Sequence, residues 1–594
     1  MRDKFYTLLG IVYPYLYPVI NPFIQSRNAR RGLVTLSGIY ILYVAISTAK
    51  KYRRQGHLSN LRRKRQEEVN IAFKRLQERV KGVNEKPIAD LSIFQIREKL
   101  EKGELKAIDV LEAFWAKALR IHNLTNCLVE PIFEAEEAAR TFDNGNKNGL
   151  LAGIPVSIKD DIAIENYTST AGASIRADQL SKEDSALVKV LRKQGAVIFV
   201  KTNEPQLGLS IEPGNPIYGT VHNPHNLDRN PGGSSSGEGA LIGGGGSVLG
   251  FGSDIGGSIR IPSNNCGCAG FKPTSQRVSH LGMDMLLFEE SAIPVTWGPL
   301  ARDVDSLVLA MEALWDGSMA EFDSLTPPIN FRKDIYEDTK PLKIGYFYNN
   351  GSFNPTPVAC RAMDMAIREL KKQGHDVVEW RPPGTDTVDE LELEVLFQDG
   401  CREVSEVLDG DIADQALKRL LAFSAAPWIV KKMLMFTAKL FGTRKDVAAA
   451  KAFSGKSNGL EVMRMNERLR QYTIEVTKAW EQEGIDALLC PPFPFTPLPL
   501  GQSDLYLRGN GYMMLFNVLN FPAGVVRMTK QTKQDIGALK NYRIKDKFHA
   551  QVKKLSEGGE GLPAGVMVAS LRWQDEKCLR VMRDAEKAAD YTVV

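Results

Sequence analysis

Cysteine is scarce in this chain of 594 residues. The seven thiols (Cys127, Cys266, Cys268, Cys360, Cys401, Cys490 and Cys578) are odd in number and lack the dense spacing of secreted disulfide frameworks, which favours a reducing compartment. Metal-ligand spacing is missing as well. Cys266-Gly-Cys268 lacks a two-residue spacer, and His222-x-x-His225 has no cysteine pair at finger distance, so no metal is expected. No single sign of charge dominates: 76 Lys plus Arg stand against 71 Asp plus Glu, and a net +5 over this length makes no electrostatic case for binding nucleic acid. No Gly-Lys-Ser/Thr closes any glycine-rich stretch, which argues against a phosphate loop. At 43% hydrophobic, 25% charged and 8% aromatic, the composition excludes a disordered, collagenous or multi-span chain.

One long uncharged run is present. Residues 32–49 (GLVTLSGIYILYVAISTA) approach the length that spans hydrocarbon, with Arg30 and Arg31 before them and Lys50 and Lys51 after. A transmembrane helix is therefore expected over 32–49, preceded by an apolar interfacial segment, 1–31, that Pro14, Pro18 and Pro22 interrupt. Basic residues are denser after the run, through Arg65, so the body should face the cytosol. Val69, Phe73, Leu76 and Val80 follow helical spacing and define a basic amphipathic linker helix over 50–90.

Residues 91–594 read as one catalytic domain. Short apolar runs at 153–158, 195–200, 342–347 and 485–490 alternate with helical periods such as Leu187, Val190 and Leu191, the pattern of an α/β layer structure. The polar stretches 455–458 and 530–561 read as surface loops.

The densest unusual segment is 232–274, where glycine and serine crowd together with too many apolar residues for a solvated tether. Gly233-Ser-Ser235-Ser-Gly237 matches the nucleophile elbow of α/β hydrolases, but Asn226–Pro231 before it is no strand, and none of the histidines after it has a distinctive setting. A different match is far more specific. Gly232-Gly-Ser-Ser235, Gly252-Ser-Asp-Ile-Gly-Gly-Ser-Ile-Arg260-Ile-Pro-Ser263 and Gly153-Ile-Pro-Val-Ser-Ile-Lys159-Asp together resemble the amidase signature family. Glu238-Gly-Ala-Leu-Ile-Gly243, Phe521-Pro-Ala-Gly-Val-Val526 and the N-terminal apolar run resemble the branch of that family that hydrolyses fatty acid amides.

The resemblance covers roughly 30–590 and implies an α/β amidase-signature fold, a large mixed twisted sheet with helices on both sides. It also implies a Ser-Ser-Lys arrangement that falls here on Ser258 as nucleophile, Ser234 as proton bridge and Lys159 as base. The base must be neutral to act, and an ordinary lysine is almost wholly charged at neutral pH. Burial on the apolar strand of Ile154, Val156 and Ile158 favours the neutral form, whereas Asp160 and Asp161 would oppose it if they faced the amine. The turn before Ser258 offers the backbone N–H groups of Ile255, Gly256, Gly257 and Ser258 to an oxyanion. Arg260 and Asp254 are expected to hold that turn, and the family also suggests a contact from Gly208 near the acyl group. The implied reaction needs no cofactor. It converts long-chain fatty acid amides (N-acylethanolamines and primary amides) to fatty acid and amine, and the implied assembly is a homodimer on an intracellular membrane such as the endoplasmic reticulum. A short-acyl or aryl amidase and a catalytically silent lipid-amide-binding protein are the competing readings.

Residues 415–445 combine Trp428, Ile429, Met433 and Phe436 with Lys418, Arg419, Lys431, Lys432, Lys439, Arg444 and Lys445. Between 417 and 445 no acidic residue occurs. A helical pair broken near Pro427 could lay such a cap in the bilayer interface; packing inside the protein is the alternative.

Overall fold

The computed structural model describes residues 27–283, 286–287, 292–591 and 593, and of the side chains between 27 and 48 only that of Ile46. Two compact units divide the chain: Met1–Asn60 with Asp409–Asp411, and Leu61–Leu408 with Ile412–Val594. Most of the expected interfacial segment 1–31 lies outside the described residues. The stretch 32–49 belongs to one continuous helix, Arg27–Arg79, which also includes most of the expected linker. In the first unit Arg54 pairs with Asp409 at 3.3 Å. Within the second, the helix buries Val69 and Leu76, with Val80 buried just beyond its end, and stacks Phe73 on His122 with ring centres 4.3 Å apart. Arg65 is buried with them and pairs with Glu130.

The core of the second unit is an 11-stranded sheet. In chain order its strands, with one small ribbon, are β1 (Leu128–Pro131), β2 (Pro155–Lys159), β3 (Val197–Thr202), β4 (Gly214–Asn215), β5 (Gly219–Thr220), β6 (Leu249–Asp254), β7 (Ala269–Lys272), β8 (Thr296–Ala301), β9 (Lys343–Tyr346), β10 (Asp376–Glu379), β11 (Ala487–Cys490), β12 (Ala523–Lys530) and β13 (Pro563–Ala569). The sheet order is β1-β3-β2-β6-β8-β7-β12-β13-β11-β9-β10, and β4 pairs only with β5. Parallel pairs β3/β2/β6 and β11/β9/β10 flank an antiparallel centre, so the sheet is mixed.

Both faces of this sheet are covered. Alternation along β12 and β13 sends Val526, Met528, Val566 and Val568 into one apolar cluster and Ala523, Val525, Met567 and Ala569 into another. Successive strand side chains point to opposite faces, so two separate clusters mean two helical layers. All four apolar runs expected as strands are strands. The stretch 530–561, expected as surface loop, is not all loop: helices Lys533–Ala538 and Lys547–Ser556 lie within it. Thr532 and Asp535 form a capping box on the first, and Asp546 caps the second, so short polar helices are held by their ends rather than by an apolar stripe.

Among the described residues no single helix is long and apolar enough to cross a membrane. Helices Gln415–Ser424 and Trp428–Phe441 meet that length and composition only as a pair, bent by 112°.

Candidate active site

Three neighbouring parallel strands end at the same edge, and their carboxyl ends carry the candidate residues. Lys159 is the last residue of β2, Glu204 stands two residues beyond β3, and Ser253 and Asp254 close β6. Lys159 pairs in register with Thr202 on β3, which brings the segment after β3 to the amine. Ligands of parallel α/β sheets characteristically bind outside such strand ends.

Close packing explains the glycine-rich segment. Helix Ser236–Gly243 lies directly on helix Arg260–Cys266: a Cβ at Gly239 would sit 2.6 Å from Pro262, and one at Gly237 or Gly243 would meet a carbonyl oxygen of Cys127 or Cys266. The glycines therefore serve the core after all, by letting two backbones touch. This contact brings the two serine turns together. The N–H of Ser235 donates to the carbonyl of Ser258 at 3.1 Å, and Ser234 precedes it across a cis peptide bond from Gly233.

Lys159 is fully buried, and four oxygens surround its Nζ: Ser234 Oγ at 2.9 Å, Ser253 Oγ at 2.7 Å, Asp161 Oδ2 at 2.9 Å and Glu204 Oε2 at 3.1 Å. Ser253 Oγ in turn donates to Asp161 Oδ2 at 2.6 Å. Burial alone would lower the Lys159 pKa, but Asp161 and Glu204 outweigh it and hold the amine above its ordinary value. The apolar strand therefore does not by itself neutralise the base. Asp160 turns the other way, accepting from the N–H and Oγ of Thr170 at 3.0 and 2.6 Å and lying 3.6 Å from Lys201.

The turn 255–258 is fixed from below. Asp254 accepts from Arg260 Nε and Nη2, both at 3.0 Å, from Asn517 at 2.8 Å and from the N–H groups of Gly257 and Ile259 at 2.9 and 3.1 Å. Burial would raise this carboxyl, yet Arg260 and the added donors hold it well below the usual carboxylate range. Gly257 has φ +107°, a conformation that side-chain-bearing residues rarely adopt, and a Cβ there would lie 2.9 Å from that of Met513. Of the four N–H groups expected to face an oxyanion, that of Gly257 donates to Asp254 Oδ1. The N–H groups of Ile255, Gly256 and Ser258 have no protein partner among the described residues.

Ser258 is half-buried, whereas Ser235, the elbow candidate, has no exposure at all and donates its hydroxyl to the Ser253 carbonyl at 3.4 Å. Gly208 lies beside Ser234 and Glu204 at φ +65°, where a Cβ would stand 3.6 Å from Ser234 Oγ and 3.5 Å from Glu204 Oε2. Leu207 next to it joins an apolar cluster with Cys401, Val404, Leu408, Leu417 and Leu420, which connects the site to the first cap helix. The second cap helix buries nothing: Trp428 is 68%, Met433 64%, Phe436 63% and Ile429 56% exposed. Sequence reading missed Glu204 and Ser253. An acidic residue just past the apolar run 197–200, at the strand end neighbouring Lys159, was the available signal for Glu204.

The amidase family profile matches residues 109–579. Fatty-acid amide hydrolase 1 of Sus scrofa is 33% identical over 500 residues, covering 84% of this chain and 85% of that one. The vitamin D3 hydroxylase-associated protein of Gallus gallus is 40% identical over 428 residues, 71% of this chain and 92% of its own. Among solved structures, a fatty acid amide hydrolase superposes with TM-score 0.74 at 24% identity, over 90% of this chain and 95% of that one. With these matches laid over the Lys159 pocket and the two serine turns, the chain belongs to the amidase signature family and is a serine amidase.

Proposed function

We propose that this protein hydrolyses long-chain fatty acid amides at a membrane surface through an acyl-enzyme on Ser258. The observation that supports it most is the buried Lys159 amine 2.9 Å from Ser234 Oγ, beside a turn whose backbone is hydrogen-bonded to that of Ser258. Neutral Lys159 takes a proton from Ser234 while Ser234 takes one from Ser258, whose Oγ attacks the amide carbonyl. Negative charge on the carbonyl oxygen is met by N–H groups of Ile255, Gly256 and Ser258, each typically worth about 3 kcal/mol of barrier. The relay then runs backwards and delivers a proton to the departing nitrogen, which is too poor a leaving group as an anion. Water clears the acyl-enzyme by the same route.

The surroundings support this substrate class. An apolar cluster joins Leu207 to the first cap helix, and the exposed Trp428, Ile429, Met433 and Phe436 can enter the bilayer interface while Lys431 and Lys432 meet anionic headgroups. A long acyl chain can then pass from lipid towards Ser258 without crossing water. A second attachment through the apolar run 32–49 and a cytosolic catalytic body belong to the same reading, which the basic excess after that run supports. The amide hydrolase names of the relatives agree with this reading.

Labelling with a fluorophosphonate probe tests the nucleophile. Ser258→Ala should abolish labelling and hydrolysis, while Ser235→Ala should leave the adduct on Ser258; an adduct on Ser235 would refute the assignment. Rates on amides from acetamide to long-chain primary amides test the substrate class, with preference for short acyl groups the refuting result.

A further inference from the structure

Helix Val388–Leu396 places an acid against the turn that precedes Ser258. Glu392 on this helix is fully buried, and neither of its carboxyl oxygens has a hydrogen-bond partner among the described residues. A Cβ at Gly256 would stand 3.0 Å from Glu392 Oε1. The peptide that follows Gly256 is held at both ends: Asn510 Nδ2 donates to the Gly256 carbonyl at 2.9 Å, and the Gly257 N–H donates to Asp254 at 2.9 Å. The turn is thus fixed beside the carboxyl.

Charge gives this contact its consequence. The Gly256 nitrogen is two covalent bonds from that Cβ position, so an oxyanion about 3 Å from its N–H is at most about 9 Å from Glu392 Oε1. Two of the nearby cations already have an anion. Arg260 is paired with Asp254 and donates to Asn517 and to the Met513 carbonyl as well, while Lys445 is paired with Asp389 on Glu392's own helix. Lys272 on β7 donates to the Pro273 carbonyl at 3.1 Å, and burial pulls its pKa down to about 7.

Resting on the Ser258 reading above, we propose that Glu392 sets the alkaline limit of the reaction: as an uncharged acid it leaves the turn free to meet negative charge, and as a carboxylate it opposes that charge. When it ionises, its O–H bond breaks, the proton goes to water and one negative charge is added beside Gly256. Glu392 acts on the turn without touching substrate and is a positioning residue. Its surroundings favour the uncharged form at neutral pH. Burial pushes the carboxyl well above the usual carboxylate range; Arg260 pulls it down, Asp254 and Asp389 push it up, and Lys272 pulls it down.

The rate should therefore fall as pH rises through the Glu392 titration. Lys159 works in the other direction, since it gains its neutral form with rising pH, and a fall caused by Lys272 losing its charge would persist without Glu392. Full-length wild type and Glu392→Gln are compared in kcat and KM for oleamide from neutral to strongly alkaline pH. Binding is followed for two probes: a long-chain trifluoromethyl ketone, whose adduct with Ser258 carries the same negative oxygen, and a long-chain alcohol, which has no carbonyl. Circular dichroism and melting curves define the pH range in which each protein stays folded. Within that range the wild-type kcat should fall about tenfold or more at unchanged KM, with ketone binding weakening in parallel and alcohol binding constant. Glu392→Gln, relative to its own value at neutral pH, should show neither decline; Glu392→Met, equally unable to ionise, replaces it if the glutamine variant does not fold. A wild type with no decline while folded, a decline retained in the uncharged variant, or equal weakening of the alcohol overturns the proposal. A wild type that neither takes a fluorophosphonate at Ser258 nor cleaves oleamide would instead fail the proposed function, and this inference with it.

Discussion

Replacing Trp428 and Phe436 with serine should detach the cap from lipid while leaving the surroundings of Lys159, Ser234 and Ser258 intact. Both side chains are about two-thirds exposed, at 68% and 63%, on a helix with no buried residue, so folding does not depend on them. An aromatic side chain presents about 150–250 Å², of which roughly 100–170 Å² is uncovered on each residue here; at about 25 cal/mol per Å², full immersion is worth about 2.5–4 kcal/mol apiece. Even half immersion of the pair amounts to about 3 kcal/mol, a loss of more than a hundredfold in partitioning. The measurement is flotation with anionic liposomes, using a chain that starts at residue 50 so that the run 32–49 cannot mask the effect. The truncated protein should bind, bind less at high salt because Lys431 and Lys432 are screened, and be released by the double substitution. Its apparent KM for vesicle-borne oleamide should rise far more than that for a soluble short amide. If the truncated protein never floats, or floats unchanged after the double substitution, the cap has some other partner and the membrane reading is wrong.

Other outcomes follow from the buried groups. Asp254→Asn leaves Arg260 without its charge partner and should cost about 3–5 kcal/mol, read as a lower melting temperature. Because the folded Asp254 pKa is depressed, its contribution is complete above the unfolded value of about 4 and is lost as pH falls below it, so the gap between wild type and Asp254→Asn should narrow in acid. Glu238 has the opposite sign. Its carboxyl, bonded by Ser157 at 2.7 Å and Thr202 at 2.9 Å, is pushed up to about 8 by burial, so wild type should lose stability relative to Glu238→Gln as pH rises from about 4.5 to 8 and no further beyond that. Gly257→Ala should lower kcat sharply with little change in KM for a soluble amide, since the added methyl displaces the turn and not the acyl path. A normal kcat in that variant would show that the turn adapts and that its φ is not required.

The sheet was legible because its strands are short apolar runs bounded by breakers, and that signal needs only local sequence. The family was legible for another reason: the spacing and composition of the motifs around Ser234, Ser258 and Lys159 are unusual enough to identify it. What stayed hidden depends on register. Whether Asp160 or Asp161 faced the amine could not be decided from adjacency, because successive residues leaving a strand diverge, one to Thr170 and Lys201 and the other to Lys159. Glu204 is distant in sequence from every motif and reaches the site only because β3 lies beside β2. The helices after residue 530 were hidden by polarity, since their stability comes from the caps at Thr532 and Asp546.

The hydrogen bond from the Ser235 N–H to the Ser258 carbonyl has a consequence for how such an enzyme can change. It ties the two serine turns directly to each other, through a backbone contact in which neither the 206–209 loop nor the cap takes part. Substrate preference can thus drift through Leu207 or the cap helices while the contact between the two serine turns is inherited unchanged. An engineer wishing to retarget the enzyme should therefore leave the serine turns alone and rebuild the vestibule, because a library there samples new acyl shapes against a reaction centre that does not have to be rediscovered each time.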